Sequence, residues 1–332
     1  MRIAILTDQP RFNLFPSEEA FREDEQKRKT ILGLKEIISK KYECGIFEAS
    51  DDIISVLKKN NINFVFNMAN GIQGCSKLSH IPAMLEFAQI PYTGSSIIGH
   101  ALALNKIYTC KILKNLNIAT PRFIYVYKED ELLQHEISFP VLVKPCDEGS
   151  SRGIYQDSLV YDFSTLKKKV AEELNTNNPP VMVTEYIEGR EFHVGLLGNH
   201  DNMLVLPIEE ISFHNLPSSL RSFYSFEVKA YYKDKTVYKC PAPLNTELRQ
   251  RIEEECIRAF NALSLRDYSR FDIRVRDNTP YILEVNSLPG LLENYSALTR
   301  MANSCELGYE GLIFRILDLA FERYDIAVYK AS

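Results

Sequence analysis

SRFDIRVRDNTPYILEVNSLPG, Ser269 to Gly290, decides how the chain is read. With a period of two, Phe271, Ile273 and Val275 fall on one face and Arg270, Asp272 and Arg274 on the other. Asp277, Asn278 and Thr279 read as a hairpin loop, after which Tyr281, Leu283 and Val285 alternate with Ile282, Glu284 and Asn286. A loop of that length sets Asp272 opposite Glu284, with Asn286 two places along on the same face. That face then carries two carboxylates, a carboxamide and a guanidinium. Hard oxygen donors of this kind suit a divalent cation, Mg²⁺ or Mn²⁺, that also holds phosphates. Arg270 beside them is a fixed cation able to stabilise an oxyanion. Taken alone, these residues are better explained by an ordinary amphipathic hairpin with a solvated polar face, since alternating strands are common. Pro289-Gly290 just beyond, and the matching pieces upstream, weigh toward a metal site.

A chain of 332 residues is too long for one ordinary domain, so two or three are expected. Its apolar fraction of 45% and charged fraction of 25% are those of a soluble globular protein. A net charge of −5, with no basic stripe, argues against a general nucleic-acid binder. The apolar run after Met1-Arg2 is too short for a signal peptide, and no stretch approaches the roughly 18 apolar residues of a membrane span. Seven scattered cysteines without CxxC spacing point to free thiols in a reducing cytoplasm, and make a zinc site unexpected.

Working back from the hairpin, Thr246 to Leu263 reads as an amphipathic helix, and 209–240 as a long irregular loop over a site. PVMVTEYIEGREFHVGLLG reads as strand, tight turn at Glu188-Gly189, and strand, the form of a hinge between two lobes. PVLVKPCDEGSSRGI is a strand that ends near Lys144, followed by a Gly/Ser loop whose backbone N–H groups can approach phosphate oxygens. Such a loop more often just makes a turn, and the Walker pattern GxxxxGK(S/T) is absent. One helix is expected over Leu104 to Leu116. Residues 1 to about 100 alternate strand and helix: strands at Arg2–Thr7, 41–49 and 62–68, helices at Asp24–Lys40, Asp51–Lys59 and Ile81–Ala88. That alternation implies a parallel sheet whose ligand groups gather beyond the strand ends, at Asp8 and Asn67 to Gly74. A last helix is expected from Gly311 to Tyr324. No Ser/His/Asp or Cys/His set suggests nucleophilic catalysis.

Taken in order, a set of short motifs carries a resemblance. They are Pro91-Tyr92-Thr93-Gly94-Ser95, Ala101-Leu102-Ala103-Leu104-Asn105-Lys106, Val143-Lys144-Pro145 with Glu148-Gly149-Ser150-Ser151, Glu185-Tyr186-Ile187-Glu188-Gly189-Arg190-Glu191-Phe192, Arg270-Phe271-Asp272 and Leu283-Glu284-Val285-Asn286-Ser287-Leu288-Pro289-Gly290. Together they resemble the ATP-grasp ligases, and within them the D-alanine–D-alanine ligase group. The resemblance runs from Phe64 to the C-terminal helix. It implies an α/β fold (α+β in the C-terminal half) with three lobes: 1–103, 104–186, and 187–332 with the metal site and the 209–240 loop. ATP would lie between the central and C-terminal lobes. Lys106 and Lys144 would contact its phosphates, with Glu148, Ser150 and Ser151 in the loop that closes on them. Backbone groups of Glu185 and Ile187, flanking Tyr186, would read adenine, and Glu191 the ribose. Asp272, Glu284 and Asn286 would bind two Mg²⁺ ions, with Mn²⁺ as the alternative. Arg270 would stabilise the tetrahedral intermediate. Phe226-Glu227-Val228-Lys229 matches the family's loop lysine, so Lys229 would reach the γ-phosphate. Ser296, with Arg270 and Gly290, would hold a substrate carboxylate. A homodimer is implied, and neither nucleic acid nor membrane is an expected partner.

The expected reaction is ATP-dependent joining of a carboxylate to an amine through an acyl phosphate, releasing ADP and phosphate. Lysines, Mg²⁺ and an arginine suit the negative charge that builds in both steps. Departures from the family concern substrate. TDQPRFNLF stands where the family supplies a glutamate for the first substrate's amine, and Ala230 where a tyrosine follows the loop lysine. Arg152 stands where a small apolar residue is common. Three readings compete: a ligase of altered specificity, a genuine D-alanine–D-alanine ligase of cell-wall synthesis, and a non-catalytic nucleotide-binding regulator.

Overall fold

A computed structural model gives the structure and describes residues 1–71, 73–149, 152–176, 179–217, 220 and 223–327. The chain begins β1 (Arg2–Thr7), α1 (Glu18–Ile38), β2 (Glu43–Glu48), α2 (Ile53–Lys59) and β3 (Phe64–Asn67), with the strands parallel in the order β2-β1-β3. Ile3 to Leu6 are fully buried, as a strand covered on both faces requires. Helix α1 begins six positions before its expected start. Ser17 caps it, its Oγ accepting from the Ala20 N–H at 3.0 Å. No apolar periodicity marks this first half, because Glu23, Asp24, Gln26 and Lys27 face a cavity instead of the core.

After α3 (His80–Phe87) comes an additional helix, α4 (Ile97–Leu104), and then α5 (Lys106–Asn115), which answers the helix expected over Leu104–Leu116. Asn105 is extended, and its side-chain oxygen accepts from the N–H groups of Ile107 and Tyr108. This cap separates α4 from α5 and makes Lys106 the first residue of α5. The central sheet follows: β4 (Phe123–Val126), β5 (Val141–Pro145), β6 (Leu159–Val160), α6 (Phe163–Thr176) and β7 (Val181–Glu185), antiparallel in the order β4-β7-β5-β6. Val141, Val143, Leu166, Val170, Val181 and Val183 form its own core.

The third sheet holds β8 (Arg190–Asn199), β9 (Asn202–Val205), β10 (Glu209–Ser212), α7 (Phe226–Tyr231), β11 (Val237–Lys239), α8 (Thr246–Ala262), β12 (Asp267–Arg276) and β13 (Thr279–Asn286). Its order is β11-β10-β8-β12-β13, with β9 beside β8. The strand–turn–strand motif passes between sheets here, since β7 belongs to the central one and β8 to the third. Gly189 makes the crossing at φ +149°, where a Cβ would overlap the Val275 carbonyl. Gly189→Ala is therefore expected to destabilise the protein by about 1–3 kcal/mol in denaturant unfolding, and unchanged stability would remove the strain argument. The 209–240 segment is more ordered than a long loop: β10, α7 and β11 lie within it, β10 being pinned between β8 and β11.

The chain ends in α9 (Ala297–Asn303) and α10 (Gly308–Arg323). Helix α10 joins the first and third sheets, and Phe321 meets Phe64 edge-on with centroids 4.7 Å apart. Burying each such ring contributes about 1.5–3 kcal/mol. Buried Asp267 ties the same regions together. It accepts from Arg323 Nη2 at 2.8 Å, from the Gly94 N–H at 2.7 Å and from Asn199 Nδ2 at 3.1 Å. No helix among the described residues is long and apolar enough to cross a membrane.

Candidate functional site

The hairpin corrects its expected loop while keeping the expected pairing. Asp277 and Asn278, both at positive φ, form a two-residue turn, so Arg276 pairs with Thr279. That turn alone would set Asp272 against Leu283. A register shift between Asp272 and Ile273 restores Asp272 opposite Glu284, and Arg270 opposite Asn286. All four side chains line one cavity of about 840 Å³, which also receives Lys229 of α7, Gly290 and Ser296.

Within it, Arg270 grips Asp272 through Nε to Oδ1 at 2.6 Å and Nη2 to Oδ2 at 2.8 Å. Asn286 Nδ2 donates to Asp272 Oδ2 at 3.1 Å. Burial works to raise the Asp272 carboxyl, but Arg270 and His193 outweigh it and hold it below its ordinary range. Glu284 pairs with Lys106 Nζ at 3.0 Å, and Lys106 also donates to the Glu148 carbonyl. Lys144, buried on β5, has its ammonium destabilised first by burial and then by Lys106. Burial also lowers the Lys229 ammonium, partly offset by Glu23. Ser296 precedes α9 and accepts from the Leu292 N–H at 3.0 Å; a Cβ on Gly290 would come within 2.9 Å of its Oγ. No group of three His, Cys, Asp or Glu side chains set to hold a metal occurs among the described residues. The donor set is instead two carboxylates and an amide, each carboxylate now neutralised by a protein cation. Such a set fits a Mg²⁺ that keeps waters and phosphates as its remaining ligands.

Of the remaining expected residues, Glu185, Tyr186, Ile187 and Glu191 lie off this lining and Glu148 lies on it. The Glu185 N–H donates to the Arg122 carbonyl at 2.8 Å, and the Tyr186 N–H to the Pro140 carbonyl at 3.1 Å. The Ile187 carbonyl accepts from Arg274 Nη1 at 2.9 Å, and Glu191 pairs with the same buried arginine at 2.7 Å. Glu148 meets Lys77 at 2.7 Å and Arg152 at 3.0 Å. Ser150 and Ser151 lie outside the described residues. At the first sheet's end, Asp8 accepts from the N–H groups of Asn70 and Gly71 and pairs with Lys27, all within the cavity lining.

Residues 112–318 match the family model described as D-ala D-ala ligase C-terminus. A D-alanine–D-alanine ligase of Carboxydothermus hydrogenoformans is 34% identical over 86% of this chain and 90% of its own. The chain belongs to the D-alanine–D-alanine ligase family. It is an ATP-grasp ligase, a class that joins a carboxylate to an amine. An uncharacterised protein of Sinorhizobium fredii is equally similar, at 34% identity over 87% of each chain. A solved D-alanine–D-alanine ligase from Bacillus anthracis aligns with a TM-score of 0.76 and 25% identity, over 98% of this chain and 99% of that one.

Three site residues of this family member escaped the sequence. His193 and Arg300 line the cavity, and buried Glu209 bonds both. Glu209 and Arg300 are 91 positions apart, so no local pattern joins them. The lowered carboxyls have a measurable consequence. Glu209 is pushed up by burial but held below 4.5 overall by His193 and Arg300, and Glu148 likewise by Arg152 and Lys77. Unfolded, these groups bind protons near 4.5 and Asp272 near 3.8. The folded state binds fewer there, so the stability they contribute is complete above that range and lost as pH falls through the folded values. The thermal midpoint, followed by circular dichroism since the chain has no Trp, is expected to hold to about pH 5 and fall below it. A midpoint that rises on acidification contradicts this.

Proposed function

We propose that this ligase transfers the γ-phosphoryl of ATP to a small-molecule carboxylate and lets an amine displace the phosphate, joining amino acids or related small molecules. The gathering of Arg270, Asp272, Glu284, Asn286 and Lys229 in one cavity carries the reading. A carboxylate is a poor acyl donor because its oxygen leaves badly; phosphorylation removes that obstacle. Lys106, Lys144 and Lys229 offset the charge of the phosphates, with Glu148, Ser150 and Ser151 in the loop that covers them. Asp272, Glu284 and Asn286 would hold Mg²⁺, which would supply neutralisation of the phosphates' charge. Arg270 stabilises the oxyanion of the tetrahedral intermediate, and Ser296 and Gly290 seat a substrate carboxylate. The Glu185 carbonyl and Ile187 N–H, beside Tyr186, face adenine, and Glu191 the ribose. The lobes are those of the three sheets: 1–103, 104–186 and 187–332. A cytoplasmic homodimer belongs to the same reading, with seven unpaired cysteines in keeping with a reducing compartment.

A second reading has D-alanine as both substrates, as the names of the relatives state for them. ADP release with Mg²⁺ and ATP, across amino acids singly and in pairs with products weighed, separates the two. A pair other than two D-alanines supports the altered specificity that the TDQPRFNLF segment and Ala230 suggest. D-alanine alone yielding its dipeptide supports the second. Tight ATP binding without ADP from any pair overturns catalysis in favour of a regulator.

A further inference from the structure

The third sheet aligns four chemistry-bearing residues in one transverse row. Glu209 of β10 is opposite His193 of β8, His193 is opposite Asp272 of β12, and Asp272 is opposite Glu284 of β13. Opposed residues share a face, so the row runs from the buried interior to the proposed metal donors. Glu209 is fully buried, and an uncompensated carboxylate there would cost several kcal/mol. Arg300 of α9 satisfies it with a two-point grip, Nε to Oε1 and Nη2 to Oε2, each at 2.6 Å. His193 Nδ1 lies 2.8 Å from Glu209 Oε2. A carboxylate accepts here, so Nδ1 donates to Glu209, and in the protonated ring Nε2–H is the donor turned to Asp272 Oδ1, 3.8 Å away.

Arg300 has a second task. Its Nη1 donates to the carbonyl of Tyr295, the residue just before Ser296, and its guanidinium lies 3.9 Å from the centre of the Tyr238 ring. One carboxylate therefore fixes two groups that point in different directions. We propose that Glu209 is a shared positioning residue: through His193 it orients Asp272 toward its cation, and through Arg300 it holds the loop that presents Ser296 to a substrate carboxylate. This rests on the ligase reading for the role of Ser296, but its metal half does not need turnover. Partners that orient metal-binding side chains matter this way in general, their loss weakening metal binding about 10–100-fold. Glutamine at position 209 keeps the shape but removes the negative charge that His193 and Arg300 share, so the hold on both is weakened.

The test compares His193→Ala, Arg300→Lys and Glu209→Gln. Mn²⁺ affinity of the protein is read by electron paramagnetic resonance without substrates, and the acceptor KM by ADP release at saturating ATP. His193→Ala is expected to weaken Mn²⁺ about ten-fold and leave the acceptor KM alone. Arg300→Lys should raise the acceptor KM and leave Mn²⁺ alone, while Glu209→Gln moves both. Unchanged Mn²⁺ affinity in His193→Ala, or a KM shift in that variant as large as in Arg300→Lys, overturns the proposal. A nitrogen coupling in the Mn²⁺ spectrum that disappears in His193→Ala also overturns it, since His193 would then bind the metal directly. Should Glu209→Gln fail to fold, the two single variants still separate the halves. Should no amine–carboxylate pair release ADP, the ligase reading fails while the Mn²⁺ comparison of His193→Ala still decides the metal half.

Discussion

Replacing Glu284 with glutamine is expected to lower ADP release about a thousand-fold while the fold survives. The magnitude follows from what a divalent cation contributes in such a site, several kcal/mol of charge stabilisation, at about 1.4 kcal/mol per factor of ten. Glu284 is one of two carboxylates on the cavity face of the hairpin, where the metal is proposed to bind, and its neighbour Asp272 is already committed to Arg270. The substitution preserves volume and keeps an oxygen for Lys106, which retains its bond to the Glu148 carbonyl. Loss of stability is therefore expected to be small beside the loss of rate. Steady-state ADP release and thermal unfolding on the same sample measure both. Turnover that stays near wild type removes Glu284 from the metal set.

Arg270→Lys is expected to lower turnover about 10²–10³-fold, the usual effect of removing an oxyanion donor. Lysine keeps the positive charge, so Asp272 is not left alone; breaking a buried pair outright costs about 3–5 kcal/mol of stability and would blur the result. What lysine cannot supply is the planar fork that now makes bonds of 2.6 and 2.8 Å to Asp272. Were that carboxylate to turn to a bound cation, the fork would be free to meet developing negative charge. The fall is expected in kcat, with the apparent KM for ATP little changed. A variant whose loss lies wholly in KM places Arg270 in ground-state binding instead.

Much of this site is legible in the sequence because its key residues sit on one hairpin. Period-two alternation groups Arg270 with Asp272 and Glu284 with Asn286 within each strand, while the turn and the register shift together decide that the two pairs share a face. The opposition of Asp272 and Glu284 was reached through a three-residue loop, whereas the chain uses a two-residue turn and a bulge whose effects on register cancel. Alternation alone cannot reveal a compensated bulge. The early start of α1 was hidden for a related reason: a helix half that faces a polar cavity carries no apolar stripe. Helix α4 is not signalled because its eight residues, IIGHALAL, are apolar almost throughout and leave no helical period to read. His193, Glu209 and Arg300 are invisible in the sequence, because the pairing of two strands and the packing of a helix bring them together and no spacing in the chain records it.

The central claim is that a substrate carboxylate takes phosphate from ATP before the amine arrives. It is tested by labelling that carboxylate with the heavy oxygen isotope and weighing the phosphate released with ADP. The account predicts one labelled oxygen in the phosphate, because the bond broken in the second step lies between carbon and the bridging oxygen. Unlabelled phosphate during product formation, or release of AMP and pyrophosphate in place of ADP, contradicts it.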